Sequence, residues 1–425
     1  MIQMPIQAVI LTAGEGTRLR PLTVSRVKGM IPIANKPILE HVVNALAKNN
    51  IRNITMVVGY KKERIMAYFE DGTDFDVIIQ YVEQKKQLGT THALACAQDL
   101  IKNRFLLLPG DNIIAPEGIS NLIEMNKSDA AVLVTHSDTP SKYGVVGLTG
   151  DKVKHLVEKP EITGDLLTKG VPSIFSLALW EHQETSISNI ISTGIYLFQP
   201  KIFKEIDLLM AEQKYDLSDL IHEMLLKDMY IKAIKTKTWA DAVYPWDLLE
   251  MNAVALQDIK MAKSGKIEHG AIIRPPVEVG QDTIIRSNSY IMGPVKIGSG
   301  CEIGPNTCIM PSTSIGNNVT INPFTEIRHS IVMDDCRIGS SSTISHSVIS
   351  FGSTCGSNCV AETRKQEIKL KTQHYEVKNI GCIIGEDSRI GHNVVFNPGI
   401  IIGANCKIAS IKELHENVPD NSNVM

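Results

Sequence analysis

The chain has 425 residues, of which 43% are hydrophobic and 21% are charged. This composition excludes collagen-like, low-complexity and wholly disordered chains, and the length predicts about two or three domains that each bury a core. Lys and Arg number 43 against 46 Asp and Glu, giving a formal net charge of -3 that is too balanced to indicate a nucleic-acid partner. No stretch approaches about 18 uninterrupted apolar residues, and the N-terminus lacks a basic segment followed by a cleavage site. We therefore expect a cytoplasmic protein with no membrane partner.

The first half alternates short apolar runs with amphipathic stretches, from Gln7 to about Lys235. This alternation favours an α/β fold with a Rossmann-like, mainly parallel sheet, whose ligands gather at the carboxyl ends of the strands. The predicted elements in chain order are a strand over 6–11, a helix over 38–48, a strand over 54–58, a helix over 91–101 and a strand over 105–108.

The run LTAGEGTRLRPLT, from Leu11 to Thr23, directly follows the first predicted strand. Gly14 and Gly16 let backbone N–H groups approach a polyphosphate, and Arg18 adds positive charge, so the run is typical of an anion-binding turn. It is not a Rossmann fingerprint, because Arg18 and Leu19 replace the small third position, and no Gly-Lys-Ser/Thr of a Walker A loop follows.

The second half, from about Gly265, repeats an aliphatic residue every six positions, as at Val279, Ile285 and Ile291. Six-residue periodicity fits neither a helix nor a simple strand but predicts a β-helix whose short strands each point one aliphatic side chain inward. The polar segment 362–378 lacks the period and is expected to leave the coil as a loop, either as a solvated insertion or as part of a site between subunits. The last residues, from Glu413, are expected to fray.

The 8 cysteines form no Cys-x-x-Cys pair, and only Cys96 lies in the first half. We expect small buried thiols in a reducing compartment, with a zinc site as the alternative.

Several motifs of the first half occur in the order found in one family. They are Gly14-Glu15-Gly16-Thr17-Arg18-Leu19, Lys28, Gln84 with Leu88-Gly89-Thr90, Gly110-Asp111, Tyr143-Gly144-Val145, Glu158-Lys159-Pro160, Thr193-Gly194, and Trp239 with Asp241. Together they resemble the sugar-1-phosphate nucleotidylyltransferases (NDP-sugar pyrophosphorylases). The resemblance implies condensation of a pyrimidine nucleoside triphosphate, UTP or dTTP, with a hexose 1-phosphate such as glucose-1-phosphate or N-acetylglucosamine-1-phosphate.

The resemblance also implies a role for each matched residue, with Mg²⁺ as the cofactor. Catalysis would rest on Arg18, Lys28 and Asp111, and the Mg²⁺ ligands would be Asp111 and Asp241. The implied nucleotide-binding residues are Leu11, Ala13, Gly14, Gly16, Gln84, Gly89 and Thr90. The implied sugar-phosphate-binding residues are Gly144, Glu158, Lys159 and Thr193. Two pyrimidines present the same imide edge to Gln84, so the base stays open between uracil and thymine.

Two features depart from the family pattern. Lys28 is followed by Gly29 where the family usually has Pro, which predicts a looser loop. The stretch 163–187 is an insertion between the sugar-binding motifs, either a lid or a surface decoration. The expected domains are a nucleotidyltransferase domain over 1–244, a linker helix over 245–266, a hexapeptide-repeat left-handed β-helix over 267–410 and a polar tail over 411–425.

The β-helix resembles those of acyltransferases, and the two halves together resemble archaeal bifunctional uridylyltransferase/acetyltransferases. Acetyl transfer to glucosamine-1-phosphate, with acetyl-CoA as co-substrate, is therefore an alternative function of this half. Ser340 and Ser341 stand where the resemblance implies a catalytic His, while His329 and His346 lie nearby. We read the β-helix mainly as an assembly domain and expect a trimer-based homo-oligomer. A catalytically silent regulatory subunit is the remaining alternative.

Overall fold

The structure, a computed structural model, describes residues 5–124, 128–159, 189–370 and 373–425, with the backbone alone at 369, 370 and 373–375. The insertion predicted over 163–187 lies outside these residues. The chain divides into two compact units, the first made of Met1–Glu15 and Leu39–Trp239 and the second of Gly16–Ile38 and Ala240–Met425. The segment Gly16–Ile38, which carries part of the glycine-rich run, thus belongs with the C-terminal half.

The helices of the described residues include those predicted over 38–48 and 91–101, together with others that the sequence analysis did not predict. They are α1 (Ile38–Lys48), α2 (Lys62–Phe69), α3 (Thr90–Cys96), α4 (Pro116–Ile123), α5 (Phe203–Ala211), α6 (Leu217–Leu226) and α7 (Asp247–Leu256). The helix predicted over 91–101 is shorter than expected, because α3 ends at Cys96 and a 3₁₀ turn, Gln98–Leu100, follows it.

The strands before the β-helix include the three predicted ones. They are β1 (Gln7–Thr12), β2 (Pro32–Ile33), β3 (Lys36–Pro37), β4 (Asn53–Val58), β5 (Ile78–Glu83), β6 (Phe105–Pro109), β7 (Asn112–Ile114), β8 (Ala130–His136), β9 (Gly144–Thr149), β10 (Lys152–Glu158), β11 (Ile190–Phe198), β12 (Ile231–Lys235) and β13 (Trp239–Asp241).

A nine-stranded sheet organises the first unit, in the order β5-β4-β1-β6-β11-β8-β12-β10-β9. Strands β5, β4, β1 and β6 are mutually parallel, whereas β11 runs antiparallel to both β6 and β8. The apolar side chains of β1 and β6, such as Val9 and Leu107, are fully buried in a core shared with α3, α5 and α6. The parallel half therefore places the residues after β1, β5 and β6 at one edge of the sheet.

The second unit contains three all-parallel sheets that form the predicted β-helix. The strands of the first are β14 (Ala262–Lys263), β17 (Val277–Val279), β20 (Val295–Ile297), β23 (Thr313–Ile315), β26 (Ile331–Val332), β29 (Val348–Ile349), β34 (Cys382–Ile384) and β37 (Ile400–Ile402). Those of the second are β15 (Lys266–Ile267), β18 (Ile284–Ile285), β21 (Glu302–Ile303), β24 (Thr320–Ile321), β27 (Arg337–Ile338), β30 (Thr354–Cys355), β35 (Arg389–Ile390), β38 (Lys407–Ile408) and β40 (Asn423–Val424). Those of the third are β16 (Ile272–Arg274), β19 (Tyr290–Met292), β22 (Cys308–Ile309), β25 (Glu326–Arg328), β28 (Thr343–Ser345), β31 (Val360–Ala361), β36 (Val394–Phe396) and β39 (Lys412–Leu414).

The six-residue aliphatic positions are stacked inside this coil. Ile297 pairs with Ile315 and Ile285 with Ile303, and all four are buried. The described cysteines are free, and most lie in the same core, which confirms the prediction of small buried thiols. Within the described residues, no cluster of three or more His, Cys, Asp and Glu side chains is arranged to hold a metal ion.

Two expectations about the second half are wrong. The segment expected as a loop is an antiparallel hairpin of β32 (Arg364–Leu370) and β33 (Gln373–Ile380). The expected frayed end is paired, because β40 lies parallel to β38 and Val418 bridges Ile402. The hairpin escaped the six-residue pattern because its apolar side chains pack on Trp246, which is distant in sequence.

Within the described residues, no helix is long and apolar enough to cross a membrane.

Candidate active site

The turn after β1 holds the first group of predicted site residues. Leu11 lies at the end of β1, where its carbonyl accepts a hydrogen bond from Gly110 N at 2.9 Å. The carbonyl of Ala13 accepts from Gln87 Nε2 at 2.7 Å, and Gly14 has open space where a Cβ would be. The turn is thus held by hydrogen bonds at Leu11 and Ala13 and is open at Gly14, which suits the close approach of a phosphate to the backbone.

Asp111 follows β6, the parallel neighbour of β1. A Cβ at Gly110 would lie 3.0 Å from Thr12 Cβ and 3.2 Å from the Leu11 carbonyl oxygen, so a side chain there would crowd the end of β1. Glycine thus permits the close approach of the ends of β1 and β6. Because these strands are parallel, Asp111 lies at the same end of the sheet as the Leu11–Gly14 turn. This is the position that the sequence predicted for a metal-binding carboxylate.

Gln84, Gly89 and Thr90 form a linked turn after β5. Gln84 is 5% exposed, and its Nε2 donates to the Gly89 carbonyl at 3.0 Å and contacts His92 Nδ1 at 2.9 Å. A Cβ on Gly89 would lie 2.4 Å from the Tyr215 carbonyl oxygen, so the position demands glycine. With both amide hydrogens engaged, Gln84 has its carbonyl oxygen, an acceptor, to offer a ligand.

Thr90 has a structural partner, since its hydroxyl accepts a hydrogen bond from Leu217 N at 2.8 Å at the start of α6. The side chain is therefore used in joining α3 to α6, in addition to any contact with a nucleotide.

The predicted sugar-phosphate residues lie on β9, β10 and β11. Gly144 is paired with Glu158 across β9 and β10, and a Cβ at Gly144 would lie 3.0 Å from Glu158 Oε2. Lys159 Nζ is 3.0 Å from Glu158 Oε1, with both side chains about half exposed at 49% and 47%. A carboxylate and an ammonium group are thus presented side by side at a glycine, which suits a ligand that carries both hydroxyls and a phosphate.

Thr193 is the predicted sugar residue that differs most from expectation, because it is only 3% exposed. Its hydroxyl donates to the Leu133 carbonyl at 2.8 Å, and its own carbonyl accepts from Asn112 Nδ2 at 3.0 Å. In this structure Thr193 and Asn112 position β11 and the turn after Asp111.

The second unit holds Gly16, Arg18, Lys28 and Asp241. Gly16 adopts a left-handed conformation with φ 71°, and a Cβ there would lie 2.9 Å from Lys28 Cβ, so the two turns pack closely. Arg18 is exposed on a 3₁₀ turn, Thr17–Leu19. Lys28 Nζ is 2.8 Å from Asp241 Oδ1, with 15% of each side chain exposed.

The pairing of Lys28 with Asp241 joins residues 213 positions apart in the chain. This ion pair holds in place an ammonium group, which can bind phosphate oxygens, and a carboxylate, which can bind a divalent cation. Gly16, Lys28 and Asp241 are thus brought together in this unit, while Leu11, Ala13, Gly14 and Asp111 are brought together in the other.

Sequence reasoning missed several residues that hold these groups in place. Gln87 supports Ala13, His92 engages Gln84, and Thr23 Oγ1 donates to the Gly16 carbonyl at 3.0 Å. Each of these residues lies within or beside a motif, and this proximity could have indicated that it supports the site. The partner atoms, all but one of them backbone carbonyls, could not be read from the sequence.

Comparison with known proteins identifies the class. Residues 7–258 match the family model "Nucleotidyl transferase", and residues 291–402 match "GMPPB C-terminal domain". Since the first match covers more than half of the chain, the chain belongs to the nucleotidyl transferase family, and the predicted enzyme class is confirmed.

The relatives fall into two groups by length. "Bifunctional protein GlmU" of Methanococcus maripaludis strain C7 is 38% identical over 98% of this chain and 96% of its own length. The protein of the same name from Methanocaldococcus jannaschii is 33% identical over 98% and 97%. "UTP--glucose-1-phosphate uridylyltransferase AglF" of Haloferax volcanii is 34% identical over 57% of this chain and 93% of its own length.

Among solved structures, a putative glucose-1-phosphate thymidylyltransferase from Bacillus anthracis, in complex with a sucrose, has 26% identity and a TM-score of 0.51. It covers 61% of this chain and 98% of its own.

Proposed function

We propose that this protein condenses a pyrimidine nucleoside triphosphate, UTP or dTTP, with a hexose 1-phosphate to give an NDP-sugar and pyrophosphate. An oxygen of the sugar phosphate attacks the α-phosphorus, and the bond from that phosphorus to the β-phosphate oxygen breaks. A phosphate monoester has a second pKa of about 6, so the nucleophile is largely dianionic at neutral pH and needs no general base. The protein must instead position two anions and neutralise their charge.

The pair of Lys28 and Asp241 is the observation that carries this proposal. Lys28 packs on the Gly16 turn so closely that a Cβ added to Gly16 would lie 2.9 Å from Lys28 Cβ, and the exposed Arg18 belongs to the 3₁₀ turn that follows Gly16. Arg18 and Lys28 would contact triphosphate oxygens, and the backbone of Ala13, Gly14 and Gly16 would approach the phosphates. Two of the similar proteins, the uridylyltransferase of Haloferax volcanii and the putative thymidylyltransferase of Bacillus anthracis, are named for pyrimidine nucleotides, which supports a pyrimidine here.

The family resemblance implies that Asp111 and Asp241 would be the Mg²⁺ ligands, and each carries the hard carboxylate oxygens that this ion prefers. Bound there, the ion would supply charge neutralisation on the phosphates. Lys28 beside Asp241 Oδ1 fixes the orientation of that carboxylate.

At the sugar side, Glu158 and Gly144 would contact sugar hydroxyls and Lys159 the sugar phosphate. Gln84 would accept a hydrogen bond from the imide N–H of the base through its carbonyl oxygen, which uracil and thymine satisfy equally. Leu11, Gly89 and Thr90 would complete the nucleotide-binding surface, and Thr193 would act on the sugar through the position of β11.

The test is a matrix of nucleoside triphosphates against hexose 1-phosphates, scored by pyrophosphate release with and without Mg²⁺. We expect activity with UTP or dTTP, and a loss of at least about 100-fold in Asp111→Asn, as for removal of one group that stabilises transition-state charge. Asp99→Asn, at an exposed aspartate of the same unit, is the matched control and should retain wild-type activity. Wild-type protein that releases no pyrophosphate from any pair would contradict the proposal and favour a silent regulatory subunit.

Acetyl transfer in the β-helix is the second candidate, because the relatives that match nearly the full length are named bifunctional. His329 and His346 are the histidines nearest the expected base, and their ring centroids lie 4.6 Å apart. Incubation with acetyl-CoA and glucosamine-1-phosphate, followed by mass spectrometry of the sugar, decides this candidate: an absence of acetylated product excludes it.

We also propose a trimer-based homo-oligomer in the cytoplasm. Sedimentation equilibrium should give a multiple of three 46.8 kDa chains, and a monomer would contradict the proposal. Cell fractionation should place the protein with soluble enzymes.

A further inference from the structure

The segment Gly16–Ile38, which carries Arg18 and Lys28, is anchored on the β-helix at two places. Arg26 provides the first, since its Nη2 is 2.9 Å from Glu386 Oε2 and its guanidinium lies 3.6 Å from the centroid of the Phe351 ring. Ser25 Oγ donates to the same Glu386 oxygen. These contacts join residues 360 and 361 positions apart in the chain.

The second anchor lies on the other side of Lys28. Ala34 N donates to Asn252 Oδ1 at 2.8 Å, and Asn35 Nδ2 donates to the Ile315 carbonyl at 2.6 Å. Asn252 is fully buried and is itself held by the Ser312 carbonyl and the Ser314 hydroxyl of the coil. Lys28 therefore lies between two anchored stretches of the chain, one bound to Glu386 and the other to Ile315 and to Asn252 of α7.

The corner that holds Arg26 is built differently from the corners beside it. At the preceding turns, equivalent corner residues form a ladder of hydrogen bonds. Ser299 N donates to Asn317 Oδ1, and Asn317 N donates to Asp334 Oδ1 one turn further on. The next two turns carry Phe351 and Glu386 instead, whose side chains contact Arg26. Large side chains thus replace the ladder residues at the two turns that face this segment.

The anchor is largely protected from water. The Arg26 and Glu386 side chains are 10% and 13% exposed, so their attraction is screened much less than that of a surface pair. A guanidinium held by a carboxylate and stacked on an aromatic ring has a fixed orientation. The corner itself is rigid, because Glu386 O accepts from Asn405 N and Phe351 O from Asp387 N.

We propose that Arg26, held by Glu386 and Phe351, is a positioning residue for the nucleotidyl transfer reaction, and that the β-helix thereby sets the affinity for the nucleoside triphosphate. The inference rests on the proposed role of Lys28 in triphosphate binding. Anchoring keeps the Lys28 turn in the binding-competent conformation before the ligand arrives. A looser turn would be competent for only a fraction of the time, and the apparent dissociation constant would rise by the inverse of that fraction.

The test compares Glu386→Gln with Asp334→Asn. Both variants remove one carboxylate from the same edge of the β-helix, but Asp334 belongs to the ladder and contacts Asn317. In Glu386→Gln we expect the KM for the triphosphate to rise about 10-fold while kcat and the KM for the sugar phosphate change less than about 2-fold, because the reacting groups are intact. Asp334→Asn should leave all three constants at wild-type values.

A double-mutant cycle adds a readout that a merely structural role would not move. Arg26→Met should raise the same KM, and the Arg26→Met/Glu386→Gln double variant should raise it no further than the larger single change, because both act through one contact. Additive effects, or equal changes in both substrate KM values, would overturn the proposal.

Hydrogen exchange of the amides of residues 22–30 separates this inference from the proposed function. Faster exchange in Glu386→Gln than in Asp334→Asn, together with the selective KM change, supports the anchor. An active wild type whose triphosphate KM is unchanged by Glu386→Gln overturns the inference and leaves the proposed function standing. If the wild type releases no pyrophosphate, the proposed function fails, and exchange that is unchanged in Glu386→Gln overturns the anchor as well.

Discussion

His329 and His346 lie at equivalent corners of two consecutive turns of the β-helix. At each of these corners, successive inward-pointing aliphatic residues are five positions apart instead of six. Ile315 therefore pairs with Val332, and Val332 pairs with Ile349. Both histidines have a left-handed backbone, with φ 43° and 47°, and their rings lie 4.6 Å apart. The slip in the repeat, visible in the sequence, thus marks where two imidazoles stack.

Burial favours the neutral form of both rings, because it lowers the pKa of each imidazole. It lowers the pKa of His346 to about 4, with further lowering by His329 and Arg328. Burial also lowers the pKa of His329, partly offset by the carboxylate of Glu250 on α7. Ser345 Oγ is 2.9 Å from His346 Nδ1.

This environment predicts a pH-dependent stability. The pKa of His346 is about 4 in the folded chain and about 6.5 unfolded, so the unfolded chain binds more protons between these values, and stability falls as pH falls through that window. In His346→Asn, the free energy of unfolding should depend less on pH, by on the order of 1 kcal/mol between pH 7 and 4.5 after allowance for solvent screening. Asn tolerates the left-handed backbone.

Urea unfolding at the two pH values measures the effect. His415→Asn, at a side chain that is 62% exposed, is the control, and its free energy of unfolding should depend on pH as in the wild type. Equal slopes in His346→Asn and the wild type would contradict the assigned burial.

At the scale of elements, the hairpin of β32 and β33 packs on the start of α7. Ile368 and Ile380 are 4% and 0% exposed and form a small apolar cluster with Trp246, against which Tyr244 and Val377 pack. The hairpin therefore belongs to the packed structure of the second unit. Its apolar residues are spaced as in a strand and are surrounded by charges, which is why the segment looked solvated in the sequence.

Truncation of Ile380 tests this packing. Ile380→Ala should lower the free energy of unfolding by about 2–5 kcal/mol, the usual cost of removing a buried aliphatic side chain. Ile272→Ala, at a β-helix position that is 48% exposed, should change it by less than about 0.5 kcal/mol. Chemical denaturation followed by tryptophan fluorescence measures both, and equal losses in the two variants would show that the hairpin is not packed.

At the scale of the whole molecule, the family match ends at residue 258, but the structural unit that holds Lys28 continues to the C-terminus. Glu386, Phe351 and Ile315, which anchor the segment Gly16–Ile38, all lie beyond that end. The family domain and the unit that folds together are therefore different sets of residues.

A fragment of residues 1–258 should consequently be a poor enzyme. It lacks the partners of Arg26 and Asn35, and it also lacks the Ser312 carbonyl and the Ser314 hydroxyl that hold the buried Asn252 of α7. We expect its kcat/KM for the triphosphate to fall at least about 10-fold relative to the full chain, since the binding-competent turn is less populated. Pyrophosphate release at limiting triphosphate measures this, and a fragment as active as the full chain would contradict the role given to the β-helix.

The class of this protein and several of its elements could be predicted from the amino-acid sequence alone. Local patterns sufficed, because strand β1, helix α1 and the six-residue aliphatic repeat are each set by neighbouring residues, and the motifs around Gly14 and Asp111 lie at the ends of strands that the pattern predicts. The domain bounds and the roles of the site residues remain predictions.

The contacts between residues far apart in the chain could be identified only from the folded structure. The pairs Lys28–Asp241 and Arg26–Glu386 join positions hundreds of residues apart, and such contacts leave no periodic trace in the chain. The same holds for Thr193, whose hydroxyl is taken by a backbone carbonyl, and for the hairpin held by Trp246. Hydrogen bonds to distant backbone atoms and packing between remote side chains are set by the three-dimensional path of the chain, and that path fixed the surroundings of the candidate site.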